Sequence, residues 1–373
     1  MAKKLSNLFF STIRRAARMQ RQALRRVGVP VAKKPRKLAQ KKTAKRASAR
    51  TQPSPAAATP RPPGKGVWQN FVHKIAPSRT ELMGRLSYSL YRPKDRPVAG
   101  LPLVVMLHGC QQTAYEMACG TRMNQLADQK GFVVAYPQQA KRAQFMRCWR
   151  WFQPDAGHGL AEADVIADLT SAIVRKYRLD SSRTYVAGMS AGAGMAALTA
   201  LRHPDVFAAA ALHSGAVMGA AHSAASGLHV MRRGSTGAPA QLIKPLLKRA
   251  QAFPGLPVMI LHGTRDRVVS VRNAVQLARQ FSHVNSASRI NEAVLGQDTH
   301  REYSRQDFLQ EGRVAVRLCL LKEVGHAWSG GDGRFKFNSE KGPRASVLIW
   351  QFFAMHALAG NGRTGVSARP PDV

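Results

Sequence analysis

The sequence is short of acidic residues, of cysteine and of long apolar runs, and each shortage excludes a class of protein. It has 20 Asp and Glu against 57 Lys and Arg among 373 residues. Its four cysteines, Cys110, Cys119, Cys148 and Cys319, are too few for a disulfide scaffold and lack zinc-site spacing. No apolar run reaches about 18 residues, so the sequence predicts no membrane-spanning helix.

The shortage of acids is complete over residues 1–66, which contain 19 basic residues and no acid. Residues 5–27 fit an amphipathic helix with a basic rim, which would lie on a membrane, a polymer granule or nucleic acid; a merely solvated basic tail is the alternative. Residues 28–66 are a Pro/Ala-rich stretch of the kind that forms a disordered linker. The remaining residues, 67–373, carry a net charge of +18 and form the predicted folded domain, which is therefore attracted to anionic surfaces.

Strand-like and helix-like segments alternate through this domain. Short apolar runs predict buried strands, and amphipathic stretches between them predict helices; the strands are expected at 101–107, 132–136, 184–187, 208–212, 257–261 and 314–324. Residues 86–92 alternate like an edge strand, and a helix is expected at 115–129. The pattern predicts an α/β fold with a mostly parallel central sheet and helices on both faces. Residues 214–250 break the alternation and are predicted to form a lid-like insertion.

A Gly-x-Ser-x-Gly motif, Gly188 to Gly192, stands between a predicted strand and a predicted helix. This is the nucleophile elbow, in which a tight turn raises the serine above the sheet and small neighbours are needed. Ser190 is therefore the candidate nucleophile. The amides at the start of the following helix favour developing negative charge there.

A serine needs a base, and the base needs an orienting acid. In α/β-hydrolases these residues follow the serine in the order acid, then histidine, each on a loop after a strand. Asp266 and His326 satisfy that order and are the candidate acid and base. The alternative for Asp266 is a solvated ion pair with the flanking arginines. The alternative for His326 is a surface position on its loop. His213 and His262, also at strand ends, are predicted to be structural.

The reaction also needs two amide donors for the oxyanion. The N–H of Ala191, directly after the nucleophile, supplies one in this interpretation. The second comes from the turn after the 101–107 strand, where Cys110 is the candidate. Its thiol is either free and buried or paired with Cys148, and the sequence leaves that open.

These motifs together (HGCQQ at Cys110, CWRWF at 148–152, GMSAG at Ser190, HGTRDRVV at Asp266 and GHAWSGG at His326) resemble the esterase family of polyhydroxybutyrate depolymerases, to which feruloyl and acetylxylan esterases are related. The resemblance covers roughly residues 68–358. It implies an α/β-hydrolase that cleaves carboxylic esters without a cofactor or metal. It also implies that Trp149, Trp151 and Trp328 line the substrate cleft, with core packing as the alternative.

The expected function is therefore a serine esterase acting on poly(3-hydroxyalkanoate) or its oligomers. The alternatives are a feruloyl or acetylxylan-type carbohydrate esterase, or a non-catalytic granule-binding or nucleic-acid-binding protein that uses the basic tail. Many members of the family are secreted, whereas this sequence shows no signal peptide. A cytoplasmic or granule-associated protein is thus expected, with an extracellular one as the family-based alternative.

Overall fold

The computed structural model describes residues 61–75, 84–152, 158–247 and 253–358. The predicted helix at 5–27 and most of the predicted linker lie outside these ranges. Within them, no helix is both long enough and apolar enough to cross a membrane.

Ten strands form one sheet, and two short strands pair apart from it. Their bounds are β1 Val67–Lys74, β2 Arg85–Arg92, β3 Leu103–Leu107, β4 Val133–Gln138, β5 Thr184–Met189, β6 Ala209–His213, β7 Val258–Gly263, β8 Ser288–Leu295, β9 Tyr303–Gln310, β10 Arg313–Leu321, β11 Trp328–Ser329 and β12 Asn338–Ser339.

The order across the large sheet is β1-β2-β4-β3-β5-β6-β7-β10-β9-β8. The middle run from β4 to β10 is parallel throughout. Antiparallel strands flank it, β1 and β2 on one side and β9 and β8 on the other. The apolar strands β3, β5, β6 and β7 are buried along their whole length, as expected of parallel strands covered on both faces.

Eight α-helices lie within the described residues. They are α1 Ala114–Thr121, α2 Met123–Lys130, α3 His158–Tyr177, α4 Ala191–Arg202, α5 Ala224–Arg233, α6 Pro239–Ile243, α7 Arg272–Val284 and α8 Ala345–Phe353. Helices α1, α2 and α8 share one core with Tyr185 and Met259 of the sheet. Helices α4 and α7 pack on the opposite face, where both approach Gly215. The predicted α/β class with helices on both faces is confirmed.

Three local predictions differ from the structure. The strand at 86–92 is not an edge, because β1 pairs with its outer side. The helix predicted at 115–129 is two helices, since Arg122 adopts left-handed backbone angles between them (φ 57°, ψ 22°). Strands β8 and β9 were not predicted, because neither has the long apolar run of the central strands and the residues of β9 are mostly half-buried polar ones.

The segment 214–247, within the predicted lid-like insertion, is fastened to α7 by side-chain amides. Asn273 Oδ1 accepts from Val217 N, and Gln280 both accepts from Met218 N and donates to Met218 O. Gln276 makes the same pair of bonds with Ser235. These amides lie on one face of α7 at helical spacing and are buried, so they replace the backbone partners that an irregular segment lacks.

Candidate active site

Ser190 lies in the turn between β5 and α4, in a backbone conformation that is rare for residues other than glycine (φ 56°, ψ −119°). The turn is closed by contacts that leave no room for side chains beside it. A Cβ on Gly188 would collide with the backbone of Gly192, and one on Gly192 would collide with the carbonyl of Leu107. Ser190 is the N-cap of α4, yet its hydroxyl makes no capping hydrogen bond. The hydroxyl is thus held at the carboxyl edge of the sheet without being used to cap the helix.

Gly194, one turn further along α4, faces a loop and not a strand. A Cβ there would lie 2.6 Å from the ring of Trp151. The absence of a side chain at Gly194 thus allows the loop that carries Trp151 to pack closely on α4.

Asp266 and His326 are hydrogen-bonded, with His326 Nδ1 2.7 Å from Asp266 Oδ2. The other carboxylate oxygen accepts from the amides of Val268 (2.8 Å) and Val269 (2.9 Å). Burial alone would raise the pKa of Asp266, but the neighbouring His326, with smaller contributions from His262 and the Val269 amide, lowers it to about 2. Asp266 is therefore a buried carboxylate that stays ionised at neutral pH and orients the imidazole of His326.

His262 lies on the other side of the same carboxylate. Its Nε2 is 2.9 Å from the Val269 carbonyl, to which it must donate, and 3.5 Å from Asp266 Oδ2. Burial lowers its pKa, so the ring is neutral and contributes a donor without a second charge. This is the structural role predicted for it.

His213, at the end of β6, joins the nucleophile turn to the loop that carries His326. Its carbonyl accepts from Ser190 N (2.9 Å), and its Nε2 accepts from Ser329 N at 3.4 Å. Its ring stacks on Trp328, and burial lowers its pKa to about 3. The structure therefore brings the Ser190 turn and the His326 loop to the same sheet edge through a neutral, buried histidine.

The turn after β3 abuts the nucleophile, since a Cβ on Gly109 would lie 3.5 Å from Ser190 Cβ. The amides of Gly109, Gln111 and Gln112 donate to acceptors within the protein. Among the described residues no acceptor is found for the amide of Cys110, nor for that of Ala191. These are the two donors that the sequence assigned to the oxyanion.

Cys110 and Cys148 form a disulfide, with 4.3 Å between their Cα atoms. Of the two possibilities that the sequence left open, the structure has the bonded one. The bond ties the turn after β3 to the loop 139–152. The same loop also receives the amide of Gln111, which donates to the carbonyl of Met146.

A buried carboxylate fixes this loop from behind. Glu162, on α3, is 2% exposed and accepts from Gln139 Nε2 (2.7 Å) and from the amide of Arg150 (2.8 Å). Gln139 N in turn donates to His108 Nε2 (3.1 Å), and His108 is the first residue of the turn after β3. Burial raises the pKa of Glu162 to about 7, against the lowering effect of its hydrogen bonds. A chain of hydrogen bonds thus runs from α3 to the backbone beside Cys110.

The three tryptophans assigned to the substrate cleft are buried: Trp149 is 0% exposed, Trp151 6% and Trp328 1%. Trp149 Nε1 donates to the carbonyl of His108, and Trp328 Nε1 donates to Ser346 Oγ. The indole N–H groups of Trp149 and Trp328 are thus bonded inside the protein, and the rings of all three tryptophans pack on neighbouring side chains. This placement favours the core-packing alternative, in which they support the site from behind.

Sequence reasoning missed Glu162 and Gln139, because a helix acid and a loop amide are ordinary in any sequence. Four non-glycine residues around the site have positive φ: Gln111 (65°), Arg147 (52°), Ser190 (56°) and Ser214 (53°). Such backbone strain clusters at functional sites. Of these residues, Ser190 and Gln111 lie in the sequence motifs GMSAG and HGCQQ, whereas Arg147 and Ser214 lie in none of the motifs. Among the described residues, no group of three His, Cys, Asp or Glu side chains is arranged to hold a metal ion.

Known proteins resemble this chain in sequence and in fold. A family model described as esterase PHB depolymerase matches residues 86–304. Poly(3-hydroxyalkanoate) depolymerase C of Paucimonas lemoignei is 32% identical over 250 residues, which are 65% of this chain and 58% of that protein. Feruloyl esterase B of Neurospora crassa is 31% identical over 192 residues, 49% of this chain and 64% of that protein.

Among solved structures, the acetyl xylan esterase from Aspergillus awamori superposes with a TM-score of 0.63 at 19% identity, covering 78% of this chain and 100% of that one. At that identity the likeness concerns the fold. The chain spans about three fifths of the length of the curated relatives it matches.

Proposed function

The chain belongs to the esterase family of polyhydroxybutyrate depolymerases, and on that premise we propose that it is a serine hydrolase of carboxylic esters. Ser190 is the nucleophile, His326 the base and Asp266 its orienting acid. The observation that carries the proposal is the buried Asp266–His326 pair at 2.7 Å, on loops after β7 and β10, at the edge where β5 presents Ser190.

In this mechanism His326 removes the proton of the Ser190 hydroxyl as the oxygen attacks the ester carbonyl. The amides of Cys110 and Ala191 stabilise the oxyanion of the tetrahedral intermediate. His326 then protonates the leaving alcohol, and water hydrolyses the acyl-enzyme by the same route. Asp266 remains ionised throughout and stabilises the imidazolium that forms between the two proton transfers.

The polyester reading of the substrate is supported by the name of the Paucimonas relative and by the family description. A feruloyl or acetylated-sugar ester is supported by the names of other relatives.

The Cys110–Cys148 bond supports an extracellular setting, because disulfides persist in oxidising compartments.

Hydrolysis of p-nitrophenyl butyrate tests the reaction. Ser190→Ala is expected to lower kcat by about 10⁴-fold or more. Ser282→Ala is the matched control, since its buried hydroxyl has no hydrogen-bond partner among the described residues, and it should keep the wild-type rate. A Ser190→Ala variant that turns over like wild type would refute the assignment.

The substrate class is tested with wild type on poly(3-hydroxybutyrate) granules, methyl ferulate and acetylated xylan. Release of soluble hydroxyacids from the granules, at a kcat/KM above that for the other two esters, is the expected result. A preference for methyl ferulate or acetylated xylan would keep the mechanism and overturn the polyester substrate.

A further inference from the structure

A cavity whose lining does not include Ser190 is lined by a cluster of cationic side chains. It has a volume of about 350 Å³, which is within the range of small-molecule sites. Arginine side chains reach it from three separate parts of the chain: Arg122 from the α1–α2 junction, Arg301 from the β8–β9 turn and Arg344 from the residue before α8. His300 also lines it, and Glu340 is the one acid among the described lining residues.

The three guanidinium groups have no ion-pair or hydrogen-bond partner among the described residues. Elsewhere in the same part of the chain, cations are paired: Lys322 contacts Glu302 at 2.8 Å and Arg334 contacts Asp332 at 2.6 Å. Three arginines and one acid, Glu340, line the cavity, so its lining carries an excess of positive charge that a bound anion would neutralise.

The backbone of this cavity is fixed. Gly330 N donates to Lys341 O (3.0 Å), and Gly342 N donates to His300 O (2.8 Å). A Cβ on Gly330 would lie 2.5 Å from Arg344 Cα, and one on Gly342 would lie 2.9 Å from Ser329 Cβ. The walls are therefore close-packed backbone that holds the arginine-bearing segments in place.

Arg122 occupies a backbone position that suits glycine. Its left-handed angles end α1 and begin α2, and a non-glycine residue pays for them in conformational energy. Its side chain lies in the cavity and caps neither helix. The arginine at this position therefore costs backbone stability, and its guanidinium makes no hydrogen bond or ion pair with the described residues, as expected of a residue that binds a ligand.

From these observations we propose that the cavity binds a small oxyanion, the carboxylate or phosphate group of a small molecule. The planar guanidinium forks of Arg122, Arg301 and Arg344 suit two-point contacts with such a group. The wall residue Gly330 is four residues beyond His326, so the bound anion lies against the loop that carries His326. The proposal does not depend on the reaction at Ser190.

Calorimetric titration of the full chain with inorganic phosphate and with 3-hydroxybutyrate, at low ionic strength, tests the site. Wild type is expected to show a saturable site for one of these probes, and binding should weaken as salt rises. Neutral methyl 3-hydroxybutyrate, tested with Ser190→Ala so that it is not hydrolysed to the acid, should not bind there. Selectivity between the two anions identifies phosphate or carboxylate as the recognised group, and either result supports the site.

Arg122→Gly removes one guanidinium at a position that glycine fits, so this variant should fold and yet bind at least about ten-fold more weakly. Arg301→Gln, in an exposed turn, should weaken binding similarly. Arg279→Gln is the matched control: it removes one charge from an exposed arginine on α7 that has no partner among the described residues, and it should bind within about two-fold of wild type.

The melting temperature provides an independent readout, because a ligand that binds the folded state raises it. The probe that binds should raise the melting temperature of wild type and Arg279→Gln more than that of Arg122→Gly. The proposal is overturned if neither anion binds wild type saturably. It is also overturned if Arg279→Gln loses as much affinity as Arg122→Gly, since net charge alone would then explain binding.

Discussion

The backbone conformation of Ser190 allows a prediction about the stability of the protein that can be tested separately from its activity. Its angles, φ 56° and ψ −119°, are those of the first central residue of a type II′ turn, a position that favours glycine. A non-glycine residue held in such a conformation costs about 1–3 kcal/mol, whereas introducing glycine costs about 0.5–1 kcal/mol in chain entropy. Ser190→Gly should therefore be more stable than Ser190→Ala by about 1 kcal/mol, and neither variant should hydrolyse esters.

Urea unfolding measures the difference, as a shift in midpoint at an unchanged m-value. Ser171, in the interior of α3, provides the matched pair, because at ordinary helical angles glycine should be less stable than alanine by about 1 kcal/mol. The sign of the glycine-minus-alanine difference should thus reverse between the two positions. If Ser190→Gly is no more stable than Ser190→Ala, the turn is not strained and the argument for this elbow is wrong.

Three further perturbations address the residues around the site. Glu162→Gln replaces one of two acceptor oxygens with a donor. It should lower the free energy of unfolding by about 1–3 kcal/mol and should also lower kcat. A variant with the wild-type kcat and the wild-type urea midpoint would contradict the loop-positioning role. Cys148→Ser removes a cross-link between residues 38 apart and should lower the same free energy by up to about 4 kcal/mol, whereas a wild-type urea midpoint would count against the bond. Because the folded pKa of Asp266 is lowered to about 2, its stabilisation is present above its unfolded pKa and is lost as pH falls from about 4 to 2. Between pH 4 and pH 2 the free energy of unfolding of wild type should therefore fall by about 2 kcal/mol more than that of Asp266→Asn. Equal decreases in the two proteins would refute the assigned pKa.

The central sheet could be predicted from the sequence because its strands are buried on both faces and are therefore continuously apolar. The same rule could not find β8 and β9, which lie at the sheet's outer side with half-exposed polar residues. The break at Arg122 also carried no signal, since neither glycine nor proline marks it. Local composition therefore predicts the covered strands and misses elements whose stability comes from their neighbours.

The candidate site likewise has residues that could be predicted from the sequence and residues that could not. Ser190, Asp266 and His326 could be predicted as a set because each follows a recognisable strand and their order along the chain is restricted. Glu162 could not be found, since its partners lie in a loop whose position depends on the fold. The pairing of Cys110 with Cys148 needed the Cα separation, which no spacing rule supplies.

The central claim, that the hydroxyl of Ser190 is the attacking group, is tested most directly by covalent labelling. A fluorophosphonate probe reacts with a serine that is activated by a neighbouring base, and peptide mass spectrometry locates the adduct. The account predicts a single adduct on Ser190 in the wild type, none in Ser190→Ala and greatly slowed labelling in His326→Ala. An adduct on a different serine, or undiminished labelling without His326, would contradict it.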